Sequence, residues 1–210
     1  RRREPEAGLP GRGAYRSPSA VYLGSVGGRY RLDFAGRFVG ALRELQPDAS
    51  LTVISRAPAE LVGGTLDRSG LPRAAWRLLA VAHRDVPNEL RRHDVGLLFH
   101  TPGISEHGGS PTKVGEYLAS GLPVVATPNA GDTDAIIRGD GVGVLVDVST
   151  EEGFRSAARA LVALRANKGL ATSCRAAAMR YYALGPACER QLDLYRQLTP
   201  RRGRSPDGQV

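Results

Sequence analysis

The sequence predicts an α/β domain built on a doubly wound, wholly parallel sheet of six strands in the order 3-2-1-4-5-6, and three observations carry that prediction. Short apolar runs alternate with segments of helical period from residue 20 to residue 146, the pattern of strand–helix–strand crossovers, which are right-handed. Those runs, such as SLTVIS, VGLLF and LPVVA, are apolar nearly throughout rather than at every second residue, as strands are when helices cover both faces. The stretch GGSPTKVGEYLASGLPVVAT, Gly108–Thr127, then reads as loop, short helix, glycine stop and buried strand, half of one parallel unit. A single reversal of crossover direction puts the switch point between the strands ending at Gly24 and Phe99, where such sheets bind ligands.

Arg1–Pro18 is rich in Arg, Gly and Pro without period and reads as a linker or entering segment, which places the domain at residues 19–198. Ala20–Leu23 is the first strand. It ends in Gly24, and the glycines of Gly24-Ser25-Val26-Gly27-Gly28 let backbone approach a phosphate closely. Phe34, Phe38, Leu42 and Leu45 recur at helical spacing across Arg31–Leu45, and Pro47 ends that helix. Ser50–Ser55 is the second strand, and Arg56 just past it either braces phosphate oxygens with its planar fork or covers the rim of the sheet.

Pro58–Asp67 reads as helix and Ala75–Val81 as the third strand, followed by the loop AHRDVP, a short helix over Asn88–Arg92 and the fourth strand, Val95–Phe99. The polar loop HTPGISEHGGS leads into a helix over Pro111–Ser120, with Ser110 as its cap, Pro111 in its first turn and Gly121 as its stop. Leu122–Ala126 is the fifth strand, Asp132–Arg138 a short helix and Gly143–Val146 the sixth strand. Glu151–Ala166, Leu170–Leu184 and Pro186–Leu198 are closing helices, and the basic residues 199–210 read as a disordered tail.

A helix starting at Pro111 leaves the amides of Thr112, Lys113 and Val114 without intrahelical acceptors, at the positive end of the helix dipole. Lys113 adds a full charge there and Glu116 follows three residues later on a neighbouring part of the face. A cation for phosphate beside a carboxylate for sugar hydroxyls suits a nucleotide sugar. The alternative is a solvated Lys and Glu with no ligand.

The net charge of +8 invites a nucleic-acid reading, but five of those charges lie in the two tails. Aromatic residues are sparse and no nucleic-acid module appears, so nucleic acid is not expected as a partner. The basic tails keep a membrane surface open. No apolar run approaches a membrane span, and there is no signal-peptide pattern. Cys174 and Cys188 fit neither a redox pair nor a metal knuckle, and the four His are scattered without an i, i+4 pair, so no metal site is expected and a reducing cytoplasm is the default setting.

In order along the chain, VYLGSVGGRY, VPNELRRHDVGLLF, SPTKVGEYLASGLPVVATPNAGD and GVGVLVD resemble the carboxyl-terminal, donor-binding domain of a GT-B-fold glycosyltransferase, and most nearly glycosyltransferase family 4. The resemblance covers Ala20–Leu198, and GEYLASGLPVVA is its most specific part. It implies a Rossmann-like lobe that holds a nucleotide-sugar donor across the carboxyl edge of its sheet. It also implies an amino-terminal lobe of the same parent protein for the acceptor, no cofactor, no required metal, and a retaining transferase whose single lobe binds better than it catalyses.

Carried over position by position, the resemblance assigns Glu116 to the ribose hydroxyls and Gly24 to the diphosphate. The amides of Thr112 and Lys113 fall beneath that diphosphate, and Val81–His83 lies beside the base. The family's sugar-contacting Glu falls at Gly108, and Glu106, two residues away, either replaces that contact or is an ordinary solvated Glu, the reading preferred here. Ser25 stands where the family usually has Arg, and Arg29, Arg56 and Lys113 are candidate replacements for its diphosphate clamp. Two other readings stay open: a GT-B-like module that binds a nucleotide or a partner without transfer, and a sugar-nucleotide epimerase of the same fold.

Overall fold

The computed structural model describes residues 18–198, so the entering segment before Pro18 and the basic tail lie outside the described residues. Six strands, β1 (Ser19–Leu23), β2 (Ser50–Ile54), β3 (Trp76–Leu79), β4 (Val95–Leu98), β5 (Val124–Ala126) and β6 (Gly143–Leu145), form one sheet in the order β3-β2-β1-β4-β5-β6. All five pairings are parallel, with Val21 opposite Thr52 on one side and Gly96 on the other. The predicted order holds.

Eight α-helices surround the sheet: α1 (Leu32–Leu45), α2 (Ala59–Arg68), α3 (Val86–Leu90), α4 (Thr112–Ala119), α5 (Thr133–Asp140), α6 (Glu151–Arg165), α7 (Leu170–Tyr181) and α8 (Leu184–Leu198). One face of the sheet packs on α1, α2 and α6 through Phe34, Phe38, Phe99 and Phe154, whose rings lie 6.0–6.4 Å apart in tilted or edge-on pairs. The other face packs on α3, α4, α5 and α7 through Val86, Leu90, Val114, Tyr117, Ile136 and Cys174. Burial pushes the Cys174 thiol up to about 12.

Several boundaries move for local reasons. Arg73–Ala75 forms a 3₁₀ turn, so β3 starts at Trp76 and ends at Leu79, leaving Val81 in the loop beyond it. The short helix is Val86–Leu90 rather than Asn88–Arg92, because Pro87 sits in its first turn, where no amide is needed. Leu45 does not join the α1 stripe. It closes the helix and is exposed. No described helix is long and apolar enough to cross a membrane.

Candidate functional site

β1 carries the chain up to Gly24, whose amide donates to the Ile54 carbonyl at 3.0 Å and whose φ of +130° suits glycine. Gly27 and Gly28 also have positive φ, and the Tyr30 amide closes this turn on the Gly27 carbonyl at 3.2 Å. At the carboxyl ends of β1, β2 and β3 lies an open cavity of about 580 Å³, with Gly24 and Ser25 on one wall, Ser55 and Arg56 on the second, and Val81 and His83 on the third. Arg56 and His83 are exposed, so their polar ends face the solvent-filled space rather than the core.

On the β4 side of Gly24 stands α4. Pro111 occupies the cap position and no side chain caps the helix; Ser110 turns its hydroxyl toward Asp132 Oδ1 at 3.4 Å. The Val114 amide bonds the Pro111 carbonyl at 3.0 Å, which leaves those of Thr112 and Lys113 without an acceptor among the described residues. The expected cap by Ser110 and the open amide at Val114 are therefore corrected, because the helix starts one residue later than Pro111 suggested.

Lys113 reaches back over the glycine turn. Its Nζ sits 4.1 Å from the centre of the Tyr30 ring, and a Cβ added to Gly24 would lie 2.4 Å from that nitrogen. Lysine and glycine, far apart in sequence, are in contact only because glycine has no side chain. Arg29 lies on the same ring, with its Cζ 5.3 Å from the centroid. The Arg29 guanidinium, and then Lys113, hold the Tyr30 hydroxyl below its ordinary range.

The polar loop after β4 contains a 3₁₀ segment, Ile104–Gly108, and it turns Glu106 inward. The Glu106 side chain is 8 % exposed, with Oε2 3.1 Å from His100 Nδ1 and Oε1 3.7 Å from Arg29 Nη1. The preferred expectation of a solvated Glu106 is overturned. Burial holds the His100 imidazole below its usual range, against the Glu106 charge that raises it.

The sequence profile described as Glycosyl transferases group 1 matches residues 17–164. This chain belongs to that family. Solved structures share the fold. WaaG, a glycosyltransferase involved in lipopolysaccharide biosynthesis, superposes with a TM-score of 0.66 at 19 % identity over 86 % of this chain and 47 % of its own. HepE from Anabaena, in complex with UDP-glucose, gives 0.67 at 13 % identity over 88 % and 50 %. The C-terminal domain of the group 1 protein LpcC from Francisella tularensis gives 0.61 at 18 % identity over 80 % and 88 %. The chain thus spans about half the length of the WaaG and HepE chains and most of the LpcC C-terminal domain. No curated protein matches the sequence at a significant level.

In this group 1 domain the expected site residues fall into two neighbouring sets that share Gly24. Gly24, Ser25, Arg56, Val81 and His83 line the cavity. Lys113 and Arg29 gather on Tyr30, beside Gly24 and the open amide of Thr112. Glu116 lies one helical turn beyond Lys113, half-buried, away from the cavity wall and without a side-chain partner among the described residues. Ser110 and Gly108 stay on the exposed loop.

Sequence reading of the group 1 domain passed over Tyr30, His100 and Tyr117. Tyr30 and Tyr117 stood in the quoted segments VYLGSVGGRY and GEYLASGLPVVA, and a Tyr beside a glycine turn or on a helix's buried face was the available signal. Nothing in the sequence marked His100, whose surroundings are assembled by three loops.

Proposed function

We propose that this domain binds the nucleotide-sugar donor of a family 4, retaining glycosyltransferase. The amino-terminal lobe of the same parent protein then holds the acceptor and completes the transfer site. The observation that carries this reading is the place of Gly24, which has an open cavity on one side and the Lys113 ammonium against the other. A diphosphate at Gly24 receives the amides of Thr112 and Lys113 and the Lys113 charge, which together neutralise it without a divalent ion. No cofactor enters this reading. The base extends toward Val81–His83, and Glu116 accepts from the ribose hydroxyls.

Family membership supports the reaction class, and the UDP-glucose held by HepE supports the donor class. The exposed apolar side of α8, with Leu184, Leu192, Tyr195 and Leu198, supports a further lobe packed against that helix. The setting is the cytoplasm, with the basic tails available to a membrane surface. Neither the binding-only module nor the epimerase gains an observation of its own.

Titration calorimetry with uridine and guanosine diphosphates and their nucleotide sugars tests the proposal, with EDTA in one arm and manganese in another. Saturable binding by one base, unchanged by EDTA, is expected. Absence of binding by every nucleotide overturns the donor reading, and affinity that collapses in EDTA and returns with manganese overturns metal independence.

A further inference from the structure

Glu106, two residues from the expected sugar contact at Gly108, is buried beside His100 and Arg29. We infer that Glu106 is a positioning residue, a buried counter-charge that aims Arg29 and, through His100 and Tyr30, the Lys113 ammonium at the diphosphate position. This rests on the reading that Gly24 and Lys113 take a diphosphate.

A carboxylate removed from water persists only where opposite charge or strong donors replace its hydration. The opposite charge that faces Glu106 is Arg29, with Nη1 at 3.7 Å, while His100 Nδ1 packs 3.1 Å from the carboxylate without a formed hydrogen bond and its ring is held toward the neutral form by burial. The rest of its surroundings hold its main chain. Its backbone carbonyl accepts from the amides of both Gly109 and Gly131 at 3.0 Å, so the loop is tied to the β5–α5 connection at this residue. A Cβ on Gly131 would meet the Gly109 carbonyl oxygen at 1.6 Å, which leaves the two loops no slack. The main chain at Glu106 is therefore fixed by both loops, and its side chain starts from one place.

The same residues reach the phosphate end. The Thr101 amide donates to the Arg29 carbonyl at 2.8 Å and the Arg31 amide to the Phe99 carbonyl at 3.0 Å, so the glycine turn is stitched to the end of β4 on both sides of Tyr30. Tyr30 meets the His100 ring edge-on at 5.2 Å, and Lys113 rests on that tyrosine. Arg29 is paired at one end yet its side chain is 55 % exposed, so it can be held by Glu106 and still present N–H groups to a ligand. Among the described residues, Arg29, His100 and the Tyr30 hydroxyl interact with Glu106, Lys113 acts on His100 and Tyr30, and Glu106 is the carboxylate of this group.

The experiment uses the domain with Glu106→Gln, Glu106→Asp, Arg29→Ala and the Glu106→Gln/Arg29→Ala double variant. Each is titrated with uridine and guanosine, their diphosphates and the corresponding nucleotide sugars, alongside thermal melts. A positioning role predicts that Glu106→Gln weakens a diphosphate and its nucleotide sugar by the same factor, about fivefold to tenfold, with the nucleoside unchanged. The loss in the double variant should then fall short of the product of the two single losses, the remainder reporting the arm through His100 and Tyr30 to Lys113, and Glu106→Asp should recover part of the loss. Weakening confined to the nucleotide sugar, or losses that multiply in the double variant, overturns the proposal and makes Glu106 a sugar contact or an unrelated residue. The resonance of the Arg29 Nη–H groups, the end that faces Glu106, supplies a readout without ligand. It should be resolved in the parent and Glu106→Asp proteins and lost to exchange in Glu106→Gln; an Arg29 signal unaffected by the substitution overturns the pairing even in a protein that binds no nucleotide. Absence of nucleotide binding by the parent sinks the donor reading separately.

Discussion

The Tyr117 hydroxyl accepts a hydrogen bond from the Leu23 amide at 2.9 Å and donates to the Leu97 carbonyl at 3.2 Å, so one side chain of α4 ties the end of β1 to the end of β4. The tie sits at the switch point of the sheet, one residue before Gly24. It is made possible by Gly96, where an added Cβ would lie 2.3 Å from the Tyr117 ring. Burial pushes the Tyr117 phenol far above its ordinary range, so it stays a neutral donor and acceptor.

Tyr117→Phe removes the acceptor of the half-buried Leu23 amide and the donor to the buried Leu97 carbonyl, a loss of about 1 kcal/mol. A lower Tm is expected, with weaker diphosphate binding because Gly24 loses its support. Gly96→Ala should destabilise by about 1–3 kcal/mol through overpacking against the same ring. Thermal melts check both, and a Tyr117→Phe protein with parental Tm and affinity refutes the tie.

Glu116→Gln tests the ribose assignment. A hydrogen bond to a charged carboxylate contributes on the order of 1.5–3 kcal/mol, so nucleotide affinity should drop about tenfold or more. Fold stability should move by only about half a kcal/mol, since Glu116 is half-buried and has no side-chain partner among the described residues to lose. Calorimetry on a nucleotide that the parent binds decides it, and unchanged affinity removes the assignment.

Lys113→Ala should weaken diphosphates strongly and the free nucleoside hardly at all, because the ammonium acts on phosphate charge. Gly24→Ala should produce the same selective loss by another route: its Cβ would meet Lys113 Nζ at 2.4 Å, and a φ of +130° strains any side chain. Equal losses for nucleoside and diphosphate would place Lys113 elsewhere than at the phosphates.

Acid should destabilise the fold through His93 and His100. Burial is the main cause that holds both imidazoles below their usual 6.5. The folded state therefore binds these protons less tightly than the unfolded chain, and stability falls as pH drops below about 6.5 toward the folded values. Above that window the effect vanishes. Melts from about pH 8 to pH 5 should show a Tm falling on the acid side, with a shallower slope in His93→Gln/His100→Gln; an identical slope in that variant assigns the acid sensitivity to other groups.

The sheet was legible in the sequence because its determinants are local. Apolar runs such as Leu51–Ile54 and Val124–Ala126 are continuous, Gly121 ends α4, and right-handed crossovers with one reversal leave a single strand order. Gly24 and Lys113 were legible for the same reason, since each sits at a strand or helix end that its neighbours mark. What tertiary structure decided was which of these groups meet. Lys113 touches Gly24 because the β1 turn and the start of α4 converge at the switch point, and no spacing along the chain records that approach. Glu106 carries the same lesson with the opposite sign. A Glu in a polar, glycine-rich loop looks solvated in sequence, but the Gly109 and Gly131 amides fix its main chain and its carboxylate lies buried beside Arg29 and His100, so its surroundings come from three separate loops. Local pattern sets where an element begins and ends; the sign and company of a side chain at the site come from the packing of elements distant in sequence.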